Sequence, residues 1–205
     1  AFWGAPVAME DHALRACEAA WDSQQALRVL RYRWEQEGLP PFRARIGVNT
    51  GVMLVGNIGA TERMNYTVMG DPVNLGSRLE GLCKIYGIEI AVGEATQALL
   101  GDSFVTRPVD CVEVKGSSEA VVFHELLGPK EDIDPELQAF GRAYAAAFEH
   151  YRARNFSEAR AGFEASLALR EGDISARTLM ERCSAYLREP PPDDWSGAFR
   201  LKRKR

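Results

Sequence analysis

The spacing of apolar and polar positions changes period several times along the chain. Over residues 10–36, Ala13, Cys17, Ala20, Leu27, Leu30 and Trp34 recur at helical spacing with charges elsewhere, which predicts a long amphipathic helix. Gly38 and the Pro40-Pro41 pair are expected to end it. Phe42, Ala44, Ile46 and Val48 then alternate with Arg43, Arg45 and Gly47, the mark of a half-buried strand. Asn49-Thr50-Gly51 is expected to turn the chain into a second strand over residues 52–55, giving a hairpin beside the strand that reaches Thr67. Gly56 and Gly59, with the polar Thr61-Glu62-Arg63, predict a mobile loop.

The residues from Asn65 to Glu80 hold the chain's most specific local pattern. Tyr66 and Val68 read as a short strand and Gly70 breaks it. Asp71 is placed as a helix N-cap, with Pro72 at the first helical position, where its missing N–H costs nothing. On the helix that follows, Leu75, Leu79, Leu82, Cys83 and Tyr86 form one apolar stripe. Asn74 and Arg78 lie four apart on a neighbouring stripe. An amide and a guanidinium near a helix N-terminus, where the dipole and free N–H groups favour negative charge, suit an anion. The same spacing suits a solvated pair beside a core stripe, and periodicity leaves both readings open.

Further along, a strand over residues 88–92, a short helix over 94–100, and strands near Phe104 and over 109–114 and 121–126 mix hairpins with crossovers. Such a mixture argues for an α+β sandwich. Residues 128–135 have the composition of a linker. Beyond it the pattern is helical, with a third C-terminal helix expected over residues 174–187. Pro190 ends the helices, and the basic residues 201–205 are expected to be a frayed, solvated terminus.

A length of 205 residues with 46% hydrophobic residues allows one good core and a small second one. The net charge of −4 and pI near 5.5 carry no polyanion-binding signature, so no nucleic acid partner is expected. Cys17, Cys83, Cys111 and Cys183 are far apart with no metal-ligand spacing, which fits a reducing, cytoplasmic setting. No apolar run reaches the roughly 18 residues that suggest a membrane span. The chain opens at Ala1, inside an apolar Phe-Trp sequence, as if cut from a longer protein whose missing N-terminal part could carry an anchor.

The run from Tyr66 to Glu80 resembles the signature of class III nucleotidyl cyclases, Tyr-x-x-x-Gly-x-x-Val-Asn-x-x-x-Arg, which lies over the nucleoside triphosphate. Three further pieces agree in the family's order: Ala1-Phe2-Trp3-Gly4-Ala5-Pro6, Arg45-Ile46-Gly47-Val48-Asn49-Thr50-Gly51, and Val55-Gly56-Asn57-Ile58-Gly59. The resemblance covers residues 1–127 and implies a ferredoxin-like sheet with helices on one face, the cyclase sandwich. In residues 136–189, Tyr144, Ala147, Tyr151, Phe156, Ala159, Phe163 and Leu167 resemble one tetratricopeptide repeat. Asn155 falls at its turn, and Glu171 stands where proline is usual. One repeat cannot bury its own face, so it must borrow from the third helix, the cyclase domain or another chain. It would then serve as a cap, as dimer support, or as a groove for a partner protein.

What the resemblance implies is conversion of ATP to 3′,5′-cyclic AMP and pyrophosphate by attack of the ribose 3′-oxygen on the α-phosphorus. Arg78 is the candidate for stabilising charge on the phosphoryl oxygens, and Asn74 for orienting the ribose. Thr67, with Val68 beside it, sits where the family binds the base, and a threonine there is similar to bacterial adenylate cyclases. Strand fit alone would also explain a threonine. Lys115, before Gly116, matches a lysine that the family points at the terminal phosphates. The two aspartates that hold Mg²⁺ or Mn²⁺ belong upstream of Ala1, and the base-selecting lysine is absent. Glu10, Asp11 and Asp71 match none of these positions. Because the family's site forms between two domains, a homodimeric partner domain is expected, and residues 1–205 alone are expected to be inactive. The alternatives are a guanylate cyclase and a catalytically silent dimerisation or regulatory module.

Overall fold

A computed structural model describes residues 1–60, 63–113 and 120–200. Thirteen elements follow one another in these residues. They are α1 (His12–Gln36), β1 (Ile46–Val48), β2 (Leu54–Ala60), β3 (Arg63–Met69), α2 (Asp71–Tyr86), β4 (Ile90–Gly93) and α3 (Glu94–Leu99). Next come β5 (Phe104–Glu113), β6 (Ala120–Pro129), α4 (Pro135–Arg152), α5 (Phe156–Leu169), α6 (Ile174–Arg188) and β7 (Phe199–Arg200).

Five strands form one sheet in the order β1-β4-β6-β5-β7. β1 runs parallel to β4 and β7 parallel to β5, while β6 is antiparallel to both its neighbours. Because side chains alternate across a strand, Ile90 and Val92 of β4 point to one face and Ala91 to the other. On the first face they join Cys17 and Ala20 of α1, Phe104 and Leu126. On the second, Ala91, Val109, Cys111 and Phe123 meet Leu79, Leu82, Cys83 and Tyr86 of α2 and Phe140 and Tyr144 of α4. The architecture is thus α+β, with the helices of the C-terminal region sharing the core of the five-stranded sheet.

Several local expectations change. β1 and β2 do not form a hairpin: residues 49–53 carry the chain out of the main sheet, and β2 pairs instead with β3 in a separate antiparallel ribbon. Gly56 and Gly59, expected in a loop, lie inside β2. Residues 42–45 alternate as a strand should but make no ladder, and Ala44 gives its carbonyl to Gln24 Nε2 of α1 instead. At α2 the N-cap is Gly70, at φ 143°, which only glycine adopts readily, and Asp71 makes no capping hydrogen bond. Thr61 and Glu62 of the expected loop, and the basic residues 201–205, lie outside the described residues.

Two of the three C-terminal helices, α4 and α6, start at side-chain caps. Asp134 accepts from Glu136 N and Asp173 from Ala176 N, and Pro135 opens α4. Tyr144, Ala147, Tyr151, Phe156, Ala159 and Phe163 are all buried, as the repeat-like spacing requires. Their missing cover comes from two of the three expected sources, α6 and the sheet. Buried polar groups join them: Tyr144 Oη donates to Val109 O at 2.7 Å, and Ser175 Oγ to Tyr86 O at 2.9 Å.

Two buried ion clusters cross the same seam. Arg107 of β5 is fully buried and donates to Glu125 of β6 (2.7 Å) and Asp173 at the head of α6 (2.8 and 3.2 Å). Its guanidinium lies 4.6 and 4.3 Å from the ring centres of Phe140 and Tyr144. Arg182 of α6 reaches Asp110 of β5 at 2.8 Å and Tyr151 Oη at 3.1 Å, and Tyr86 Oη donates to the same carboxylate. Burial raises the Asp110 carboxyl above its ordinary range, while Arg182 and Tyr86 pull it back. The four cysteines are free and buried. Among the described residues no helix is long and apolar enough to cross a membrane.

Candidate active site

The site expected from the sequence centres on the junction of β3 and α2. Tight packing fixes it from below. Gly47 of β1 lies so close to α2 that an added Cβ would fall on the Gly76 carbonyl and 2.6 Å from Glu80 N. Gly51 lies against the Pro72 ring in the same manner, so that an added Cβ would fall 2.5 Å from its Cγ. Asn49, between the two glycines, donates from Nδ2 to Pro72 O at 3.0 Å, while its Oδ1 occupies the space that a side chain at Gly93 would need. Thr50 Oγ1 meets Thr96 Oγ1 at 3.0 Å and ties the same connection to α3. The sequence marked Asn49 only as a turn residue. In the fold it positions the first turn of α2, and its placement between two glycines is the available clue.

On α2, Leu79, Leu82, Cys83 and Tyr86 are buried, and Leu75 packs against the same core. Asn74 and Arg78, one turn apart, are both exposed, and among the described residues neither side chain has a hydrogen-bond or ion-pair partner. The amides of Val73 and Asn74 both bond to Gly70 O, at 3.1 and 3.4 Å. The helix N-terminus therefore offers fewer free donors than expected, and the Arg78 guanidinium is the anion-seeking group of this surface.

Thr67 and Val68 are adjacent on β3, and strand alternation sends them to opposite faces of the ribbon. Thr67 stands opposite Gly56, beside the directly paired Leu54 and Met69. Val68 pairs with Val55, and both line a cavity of about 1000 Å³ between the ribbon, α1, β1 and the opening segment. That cavity is walled by small and apolar groups such as Ala13, Ala16, Val48 and Trp3. Of the candidate residues among the described ones only Val68 lines it, so this cavity and the Asn74/Arg78 surface are different places. The ring of Tyr66, on the Val68 face, lies 5.8 Å from that of Phe2. Lys115 lies outside the described residues. Among the described residues no group of three or more His, Cys, Asp or Glu side chains comes together to hold a metal ion.

Residues 2–127 match the adenylate and guanylate cyclase catalytic domain, and the chain belongs to that family. It is 41% identical over 128 residues to adenylate cyclase 1 of Rhizobium meliloti, covering 62% of this chain and 19% of that protein. To the terminal-differentiation-specific adenylate cyclase of Dictyostelium discoideum it is 35% identical over 142 residues, 67% of this chain and 7% of that protein. The chain thus spans under a fifth of the length of these curated relatives. Among solved structures it resembles the adenylyl cyclase CyaB from P. aeruginosa, with TM-score 0.57 and 30% identity over 64% of this chain and 68% of that one. It also resembles the guanylyl cyclase Cya2, with TM-score 0.55 and 33% identity over 64% and 66%.

Proposed function

We propose that this chain is the substrate-positioning part of an adenylate cyclase, converting ATP to 3′,5′-cyclic AMP and pyrophosphate. The observation that carries the reading is the Asn74/Arg78 pair: two exposed polar side chains on one face of α2, without partners among the described residues, held by a tightly packed helix start. Attack of the ribose 3′-oxygen on the α-phosphorus forms one P–O bond and breaks another, releasing pyrophosphate. Charge grows on the phosphoryl oxygens, and Arg78 supplies fixed donors for it. Asn74 donates to the ribose without adding charge. Thr67 offers its hydroxyl to the base, with the Val68 backbone alongside, and Lys115 serves the terminal phosphates. Adenylate cyclases among the relatives support ATP as the substrate.

The described residues do not themselves provide a metal site. Mg²⁺ or Mn²⁺ is proposed to be held by carboxylates of the longer protein. A second copy is proposed to dock on the ribbon, where the directly paired Leu54 and Met69 are 69% and 53% exposed. The buried, unpaired thiols support a reducing, cytoplasmic setting.

The test is cyclic nucleotide formation by the longer protein with ATP and GTP compared, in Mg²⁺ and in Mn²⁺. Arg78→Ala is expected to lower turnover by about 10²–10³-fold with little change in KM, the scale for losing one preorganised donor. Residues 1–205 alone are expected to be inactive. Preference for GTP would refute the substrate, and no product from either nucleotide would refute the enzyme.

A further inference from the structure

The helical extension ends in a segment that folds back on it. After α6, Pro190-Pro191-Pro192 leads into residues 193–200, and every stage of this return is held. Arg154, between α4 and α5, donates to the backbone carbonyls of Pro191 (2.7 Å), Pro192 (2.9 Å) and Asp193 (3.2 Å). Arg154 has φ 66°, a left-handed conformation uncommon for a residue with a side chain, and in it the guanidinium gathers three carbonyls of one stretch. Trp195 then enters a nest of rings: Tyr151 at 5.3 Å and 90°, Tyr186 at 5.4 Å, and Phe156 at 5.7 Å. These three rings come from α4, α5 and α6. Trp195 Nε1 donates to Ala198 O, which closes the turn. Phe199 lies 3.8 Å below the Arg182 guanidinium, the same group that holds Asp110 of β5. Phe199 and Arg200 pair with Val112 and Glu113 as the outermost strand.

We propose that residues 190–200 are a ligand in cis for the aromatic groove of the helical extension. The groove is closed to outside peptides while Trp195 fills it. Any partner must present the same chemistry, a proline-rich turn followed by tryptophan, and must compete with the tethered segment. Opening the groove also loosens β7 from the end of β5, because Trp195 and Phe199 belong to one short return. This inference stands on the strap and the rings alone, whatever the catalytic domain turns over.

The experiment uses the full 205-residue chain and a labelled peptide with the sequence of residues 189–200. Trp195→Ala is expected to open the groove, so the variant binds the peptide in trans at least about 100-fold more tightly than the unsubstituted chain, whose own segment competes at high effective concentration. Amide exchange at residues 112–113 is expected to rise at least about tenfold in the variant, with helical content unchanged by circular dichroism. Trp195→Phe is expected to restore both properties in large part. Arg154→Ala, which leaves the ring nest intact, is expected to raise exchange across residues 193–200. Equal peptide affinity for the unsubstituted chain and Trp195→Ala overturns the proposal. Unchanged exchange at 112–113 in folded Trp195→Ala overturns the link to the sheet. If Trp195→Ala does not fold, Arg154→Ala decides: unchanged exchange over 193–200 refutes a held strap.

Discussion

Arg107→Met offers the sharpest test of how the sheet and the C-terminal helices are joined. The native guanidinium is fully buried, bonds to Glu125 and to both oxygens of Asp173, and lies over two aromatic rings. Methionine fills much of the volume but leaves two carboxylates, 9% and 5% exposed, facing one another without their shared cation. Breaking a buried pair by removing one partner costs about 3–5 kcal/mol. Arg170, at 3.8 and 4.0 Å from the same carboxylates and 42% exposed, offsets only part of that, so the low end of the range is expected. For a chain of this size the melting midpoint should fall on the order of 10 °C. Urea unfolding followed by circular dichroism measures the loss of stability, since midpoint and slope separate stability from compactness. The control is Arg107→Met with Glu125→Gln and Asp173→Asn, which removes both charges yet keeps an oxygen at position 173 to cap α6. It is expected to recover at least half of the loss. A loss below about 1 kcal/mol for the single variant, or no recovery in the triple one, would show that the charges do not control this seam.

Three further outcomes follow from single residues. Among the described residues the buried Nδ1 of His124 has no hydrogen-bond partner, and burial pushes the imidazole down from 6.5 to about 4. The unfolded chain binds a proton near pH 6.5 that the fold refuses until about pH 4, so stability is full above that window and falls as pH drops through it. The loss amounts to up to about 3 kcal/mol, and His124→Phe should remove it, which urea midpoints of the two proteins at pH 7 and pH 4.5 will check. A gap between them that does not change with pH would refute the assignment. Gly47→Ala should cost about 1–3 kcal/mol, because its Cβ meets the backbone of α2 rather than a flexible side chain. Gly81→Ala, with open space around it on the same helix, should instead stabilise by about 0.5–1 kcal/mol, read from the same melting curves.

The sequence revealed what local physics controls. The buried stripe of α2 and the outward Asn74 and Arg78 follow from period 3.6, and the rings of α4 and α5 fell where their spacing put them. It misled where a local pattern has two outcomes. Residues 42–48 alternate throughout, yet only Ile46–Val48 finds a neighbouring strand, because pairing depends on what lies alongside. Glycines at 56 and 59 looked like a loop, but an exposed two-stranded ribbon tolerates them. Distance hid the rest. Nothing near Arg107 announces Asp173, 66 positions later, and a two-residue strand such as β7 has no pattern to read. Asn49 looked like a turn residue because its partner, the Pro72 carbonyl, is made by a different element.

The shared core under α4 and α6 changes what counts as a separable piece of this molecule. The family match stops at residue 127, yet a chain ended there would leave Val109, Cys111 and Phe123 without their outer layer, and Asp110 without Arg182. During synthesis Asp110 must wait until residue 182 has been made before its charge meets Arg182. Evolutionary units and folding units therefore part company here. An insertion or recombination event that respected the edge of the cyclase homology would cut through a core that both sides share.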